Sequence, residues 1–302
     1  MSDEPDTKKP KTEEKKEEKP QSLPEGYEVP KVWTNPPPMG GTINAMNKPE
    51  AGARYETELP KGDKPYQLYS LFTPNGQKVS ILLEELGLEY DPHVINIMKN
   101  EQFSSGFTNL NPNSKIPVLL DTTVKVPHDA NAGGLRVFES GNILLYLAEK
   151  HGKFLPADLS ARAECLSWVF WQMGSAPFLG GGFGHFYAYA PERLEYPINR
   201  FTMEVKRQLD VLDRNLAERE FICGDHYTIA DMAIHPWYGA LAMGMLYESG
   251  EFLDVDSYQN VQRWTKALQE RPAVKRGQRV NRVWGDEAKR LPERHSASDL
   301  EG

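Results

Sequence analysis

Hydrophobic and polar positions divide the chain into two stretches with different periods. Tyr66 to Phe72 is a β-rich run, followed by the turn residues Thr73-Pro74-Asn75-Gly76. Val79, Leu82, Leu83 and Leu86 then recur at helical spacing on one face, and Gly87 closes that helix. Glu89 to Ile97 reads as a second strand, and Gln102 to Leu110 as a short, weakly patterned helix or turn. Ile116-Pro117-Val118-Leu119-Leu120 is a third strand and Leu135 to Phe138 a fourth; Ser140 is positioned to cap a helix containing Ile143, Leu144 and Leu147. The order βαβαββα predicts an α/β domain over residues 66–152, with helices on the faces of one sheet.

From about Leu159 the pattern is helical only. Leu166, Val169, Phe170 and Met173 share one helical spacing, and Phe201, Val205, Leu209, Leu212 and Leu216 another. Thr228-Ile229-Ala230-Asp231 has capping-box chemistry: the Thr hydroxyl accepts from a backbone N–H and the Asp reaches back. Val261, Trp264 and Leu268 mark one more helix, with a proline stop at Arg271-Pro272. An all-α domain is therefore expected over residues 159–285.

The flanks differ from both. Residues 1–20 hold seven acidic residues and six lysines, too little apolar surface to offset the entropy of ordering. A disordered charged tail is expected over 1–32, an irregular Pro/Gly-rich arm lying on the folded body over 33–65, and a C-terminal tail over 286–302.

Composition narrows the function. With 35 basic against 43 acidic residues the net charge is −8, which offers no phosphate-binding excess and disfavours nucleic acid as a partner. The basic positions Lys275, Arg276, Arg279 and Arg282 read as a solvated helix end. No run of about 18 apolar residues predicts a membrane span, and the N-terminus lacks the apolar segment of a secretory signal. Two cysteines, Cys165 and Cys223, suit neither a disulfide framework nor a zinc site, and the seven histidines show no paired metal spacing. A cytoplasmic protein without a metal is expected.

Ile116-Pro117 at a strand start suggests a thioredoxin-like layout, which needs a cis bond there to turn backbone groups toward a substrate. Asn111-Pro112-Asn113-Ser114-Lys115-Ile116-Pro117-Val118-Leu119, then Phe138-Glu139-Ser140-Gly141-Asn142-Ile143-Leu144, resembles the N-terminal domain of cytosolic glutathione transferases. Tyr227-Thr228-Ile229-Ala230-Asp231 resembles the helical-domain signature of the same family. Thr73-Pro74-Asn75-Gly76, Gln102-Phe103-Ser104-Ser105-Gly106-Phe107 and Gly180-Gly181-Gly182-Phe183-Gly184-His185-Phe186-Tyr187 are similar to the nu-class (YghU-like) branch. The resemblance runs from about Trp33 to Ser298. It implies a thioredoxin-like domain followed by an all-helical glutathione transferase domain, glutathione as cosubstrate, and a homodimer.

The chemistry of these residues suits glutathione. Ser140 at a helix N-terminus is an anion site, Glu139 beside it can partner an ammonium, and the backbone of Ile116 can pair with a peptide in β fashion. Taken singly, Ser140 is also an ordinary cap and Pro117 an ordinary strand start. The thiol has a reference pKa of about 8.5, so a charge-assisted donor worth about 1.5–3 kcal/mol would lower it by about one to two units. No cysteine precedes Glu164, which excludes a cysteine centre in the first domain. Thr73 and Asn75 can each donate to a thiolate, although Thr-Pro-Asn-Gly also suits a plain turn; Tyr69 and Ser70 lie within the strand run. The resemblance further implies that Asn47, Gln102 and Arg200 contact glutathione, Arg200 bidentately at a carboxylate, with Pro74 and Lys115 completing the set. His185 and Tyr187 are candidates for the opposite wall, or for helix packing.

Two classes of function follow. One is a glutathione-dependent disulfide reductase with transferase activity, acting on a small disulfide or electrophile with two glutathione molecules, or glutathione disulfide, in one cleft. The other is a non-catalytic regulator or ligand-binding protein on the same fold.

Overall fold

The computed structural model describes residues 28–35, 46–126, 133–285, 287, 290–291 and 297–300. The charged run 1–20, Pro36-Pro37-Pro38, Gly40-Gly41 and most of 286–302 lie outside the described residues. Residues 28–35 form an exposed segment without strand or helix.

Four strands, β1 (Tyr66–Ser70), β2 (Tyr90–Val94), β3 (Val118–Asp121) and β4 (Leu135–Phe138), form one sheet in the order β2-β1-β3-β4. β1 runs parallel to β2 and antiparallel to β3, with Leu68 opposite Leu119; β3 runs antiparallel to β4, with Leu119 opposite Val137. The parallel pair requires a crossover, which is α1 (Pro74–Leu86). Side chains alternate between the faces of the sheet. Leu68, Leu119 and Val137 pack against Val79, Leu82 and Leu83 of α1 and against Ile143, Leu144 and Leu147 of α3 (Ser140–His151). Tyr69, Val118 and Leu120 face the other way, onto Ile95 and the short α2 (Ser105–Leu110) through Phe107 and Leu110. On that side the arm lies along the body: Arg54 N–H donates to Phe103 O at 2.8 Å, and Ser105 N–H to Tyr55 O at 2.9 Å.

The boundaries differ from expectation where two local codes share residues. Thr73-Pro74-Asn75-Gly76 is not a free turn. Thr73 is the N-cap of α1 and accepts from Gly76 N–H at 3.3 Å, while Pro74 takes the first helical position. Thr, Pro and Asn serve turns and helix starts alike. Ser140 is the first residue of α3 rather than its cap. Glu139 holds the cap position at φ 68°. The third strand begins at Val118, so Ile116 and Pro117 precede the ladder. The helix over Val261, Trp264 and Leu268 does stop ahead of Arg271-Pro272, at Gln269, and Pro272 then opens a further short helix, since proline suits a first helical turn.

The helical part comprises α4 (Leu159–Pro177), continued by a π-helical stretch at Phe178–Tyr189, and α5 (Glu195–Asn215). Next comes α6 (Ile229–Ile234), continued by a π-helical stretch at His235–Gly239, then α7 (Gly250–Leu253), α8 (Gln259–Gln269) and α9 (Pro272–Gly277). In α5, Val205, Leu209, Leu212 and Leu216 are buried as the spacing predicts, and so are Val261, Trp264 and Leu268 in α8. In α4 the buried stripe runs Cys165–Val169–Gln172, and Phe170 is 64% exposed. At about 100° per residue, Phe170 falls beyond the edge of a stripe centred on Cys165, Val169 and Gln172.

The predicted capping box at α6 is present. Its Asp231 carboxylate accepts from Thr228 N–H (3.0 Å), Ile222 N–H (2.9 Å) and the Trp264 indole N–H (2.9 Å), which ties three segments together. Against α1, α9 approaches so closely that a Cβ on Gly277 would lie 2.7 Å from Ile81 Cα, and Ser80 Oγ donates to Gly277 O at 2.7 Å. The basic residues of this region are engaged. Arg276 pairs with Glu84 (2.8 Å), Lys275 with Glu270 (2.7 Å), and the Arg282 guanidinium lies 4.9 Å from the Phe72 ring centroid.

Asp231→Ala would strand three donors and is expected to destabilise the chain by at least about 3 kcal/mol, measurable by urea unfolding. Burial lifts the Asp231 carboxyl to about 6 from an ordinary 3.8. Between those values the folded state holds a proton that the unfolded state has released. Relative to Asp231→Asn, the parent is therefore expected to gain up to about 1.4 kcal/mol per unit as pH falls through this window.

Candidate active site

Two helix N-termini open on one cavity of about 460 Å³. At one end stand Thr73, Pro74 and Asn75 of α1; at the other, Glu139 and Ser140 of α3. Each terminus carries the positive end of a helix dipole; free N–H groups are fewer at α1, where Pro74 has none and Thr73 takes that of Gly76, and the cavity favours a ligand with negative charge at two points. Because Thr73 Oγ1 accepts from Gly76 N–H, its own O–H is left to donate. Asn75 Oδ1 accepts from the Trp237 indole N–H at 2.9 Å, so the amide offers its NH2.

Between the two ends runs the loop 111–117. Asn111 braces it, its Nδ2 donating to Lys115 O at 2.6 Å and its Oδ1 accepting from Asn113 N–H at 2.9 Å. The Ile116-Pro117 bond is cis, as the thioredoxin-like layout requires. Lys115, Ile116 and Pro117 line the cavity, and Ile116 lies outside the ladder, so the sheet does not claim its backbone groups. Ser114 and Glu139, both lining residues, have φ of 53° and 68°. Left-handed backbone at non-glycine residues costs energy and concentrates at functional sites.

Asn47 of the arm and Gln102 also line the cavity. Arg200 does not: it is exposed on α5, within electrostatic range of Glu204. His185 packs edge-on against Phe186 and is not a lining residue. Tyr187 walls an adjoining open cavity of about 470 Å³ together with Arg193, whose guanidinium stands 5.4 Å from the Tyr187 ring centroid. Tyr189 and Tyr247 border both cavities. Burial pushes both phenols above their ordinary range, so each remains an O–H donor at neutral pH. Tyr69 is occupied with Pro60 O (2.8 Å), and Ser70 Oγ accepts from Asn281 Nδ2 (2.9 Å). Cys165 and Cys223 are free thiols and line neither cavity. Among the described residues no cluster of His, Cys, Asp and Glu could hold a metal, and no helix is long and apolar enough to cross a membrane.

Two family models match the chain: Glutathione S-transferase, N-terminal domain, over residues 64–149, and Glutathione S-transferase, C-terminal domain, over residues 180–272. The disulfide-bond oxidoreductase YghU of Escherichia coli (strain K12) is 57% identical over 281 residues, covering 91% of this chain and 95% of the relative. The chain is an enzyme of the glutathione S-transferase family. Within that family its fold is similar to a crystal structure of glutathione transferase YghU from Streptococcus pneumoniae complexed with glutathione. The TM-score is 0.80 at 56% identity, over 85% of this chain and 98% of that one. A glutathione transferase from Burkholderia graminis, crystallised with two glutathione molecules per subunit, matches with a TM-score of 0.66 at 44% identity, over 71% of this chain and 88% of that one.

For this family member, periodicity misses the helical wall of the cavity. Tyr189 ends one π-helical stretch and Trp237 lies in the other. A π turn breaks the 3.6-residue repeat on which periodicity rests, and such turns gather at functional sites. Gly180 makes room for Trp237, because a Cβ there would sit 2.7 Å from the indole; the corresponding position at Gly181 is open. Gly180→Ala is therefore expected to destabilise by about 1–3 kcal/mol. Gly181→Ala is expected to be neutral or to stabilise by up to about 1 kcal/mol. Thermal unfolding of the two variants side by side checks the contrast.

Proposed function

We propose that this chain is a glutathione-dependent disulfide-bond reductase in which Thr73 and Asn75, at the N-terminus of α1, stabilise the thiolate of bound glutathione. The observation that carries the proposal is the pair of helix N-termini on one cavity, with hydroxyl and amide donors at one end and Glu139 and Ser140 at the other. Glutathione has chemistry for both ends. Its thiol becomes an anion at α1, while the α-carboxylate and ammonium of its γ-glutamyl group suit Ser140 and Glu139. Its peptide backbone pairs with Ile116, and Asn47, Gln102, Lys115 and Pro117 complete the proposed contacts. Arg200, outside this cavity, keeps only the support of the resemblance.

The proposed reaction needs no protein cysteine. A glutathione thiolate attacks one sulfur of the substrate disulfide; that S–S bond breaks, a mixed disulfide forms, and the departing thiolate takes up a proton. The thiolate of a second glutathione attacks the mixed disulfide, which yields glutathione disulfide and the second substrate thiol. Two electrons pass from two glutathiones to the substrate. The Burkholderia graminis relative with two glutathiones per subunit supports two in one cleft. Holding both sulfurs together supplies the larger share of the rate, and thiolate stabilisation the smaller. Weak conjugation of electrophiles is expected alongside, because two modest donors suit a soft sulfur target better than a demanding aromatic carbon. The proposal includes a reducing, cytoplasmic setting and a homodimer, for which light scattering on the purified chain is the test; a monomer would remove that part.

Thr73→Ala or Asn75→Ala is expected to lower turnover of a small disulfide about ten- to hundredfold, while Cys165→Ala and Cys223→Ala change it little. Trp237→Phe removes only the N–H that orients Asn75, so its effect is expected not to add to that of Asn75→Ala. Glu139→Ala and Ser140→Ala act on affinity instead, weakening glutathione binding by at least about 1 kcal/mol. Steady-state kinetics and titration calorimetry measure both sets. Activity lost in the cysteine variants and kept in the Thr73 and Asn75 variants would defeat the proposal.

A further inference from the structure

Beneath the α3 end of the cavity lies a lysine without a counter-ion. Lys78 of α1 is 1% exposed, and among the described residues no carboxylate pairs with it. Its Nζ donates to Gln172 Oε1 of α4 at 2.6 Å and to Ser140 Oγ at 3.3 Å. Gln172 is fully buried, and its Nε2 has no partner. A buried ammonium costs several kcal/mol unless paired, and nothing in the core requires one here. Methionine would fill the same space on a helix.

The neighbours define its electrostatics. Glu139, ahead of α3, is the charged group that acts on Lys78 and favours its charged form, whereas burial disfavours that form and holds the amine well below its ordinary range. From α9, Arg271 and Arg276 are spent on Glu85 and Glu84. From α6, Asp231 is occupied by its own three donors, and in the π-helical stretch that follows His235 is held neutral by burial, at about 4. From α4 the facing group is the neutral Gln172.

We propose that Lys78 is a positioning residue for the carboxylate end of the cavity, becoming charged as a ligand carboxylate settles on Ser140 and the N-terminus of α3. This rests on the glutathione reading given above. An ammonium has no lone pair, so a charged Lys78 obliges Ser140 Oγ to accept from it; the Ser140 O–H, which has only the weak acceptor Met173 Sδ at 3.8 Å, is then free to donate to the carboxylate instead. The incoming carboxylate supplies the negative charge that makes the buried ammonium tolerable. Ligand and proton thus bind together, and the proton aims the hydroxyl.

Titration calorimetry of the whole protein at about pH 8, in two buffers of different ionisation enthalpy, tests this. S-methylglutathione is the probe, because its blocked thiol releases no proton. An analogue lacking only the α-carboxylate of the γ-glutamyl group is the control. The parent is expected to take up a proton fraction with S-methylglutathione and none with the control. Lys78→Met is expected to bind S-methylglutathione about tenfold more weakly, without proton uptake, and the control unchanged. Lys78→Arg, permanently charged, is expected to restore affinity but not uptake. Binding by the parent without proton uptake would overturn the role of Lys78 while leaving the glutathione reading intact, and that result does not depend on whether any variant folds. Failure of S-methylglutathione to bind the parent at all would overturn both.

Discussion

The geometry of the cavity depends on α1 being clamped along its length by the helical part of the chain. Trp237 holds Asn75 at its first turn, Gly277 accepts from Ser80 at its middle, and Arg276 and the bidentate Arg271 take Glu84 and Glu85 at its end. A helix fixed at three heights can neither slide nor roll. The direction of its N-terminus, and of the Thr73 and Asn75 donors there, is therefore set in part by a contact at Glu85 about 15 Å beyond Asn75 along the axis, at about 1.5 Å of rise per residue.

That clamp explains why apolar positions in α1 read so plainly while its polar ones do not. Val79, Leu82 and Leu83 declare the face toward the sheet, but Lys78, Ser80, Glu84 and Glu85 look like the solvent side of an amphipathic helix. They instead meet a second domain whose partners lie some hundred or more residues away, and no local pattern announces such a meeting. The same limit hides Trp237, which follows Pro236 in a stretch whose repeat is not that of an α-helix. The loop 111–117 and the residues Glu139 and Ser140 were legible as a motif, because one short segment carries each whole group. Arg200, which the family resemblance rather than any local pattern brings into the set, stands exposed on α5 outside the lining of this cavity.

Electrostatics divides the cavity into unequal halves. The α1 end offers only neutral donors and a helix dipole, which favour an anion without fixing it. The α3 end adds a carboxylate at the rim, Glu139, and beneath it the buried amine of Lys78, whose charge the proposal ties to the ligand. A dipolar group carrying both an ammonium and a carboxylate is met there by the opposite arrangement, and a simple anion would find Glu139 against it. In the proposed function, selectivity for an amino-acid terminus is assigned to the α3 end and reactivity to the α1 end.

The apolar interior has no seam. Leu68 of the sheet, Leu82 of α1, Leu144 of α3, Leu209 of α5 and Trp264 of α8 belong to a single buried cluster. Two family models describe the sequence in two pieces, yet this cluster spans both, and only the smaller one around Tyr69, Ile95 and Phe107 lies within a single piece. Cutting the chain near residue 155 would expose the apolar faces of α1 and α3 on one fragment and of α4 and α6 on the other. The two family domains share one interior, so recombining either with its counterpart from a distant relative means matching an interior rather than joining a linker.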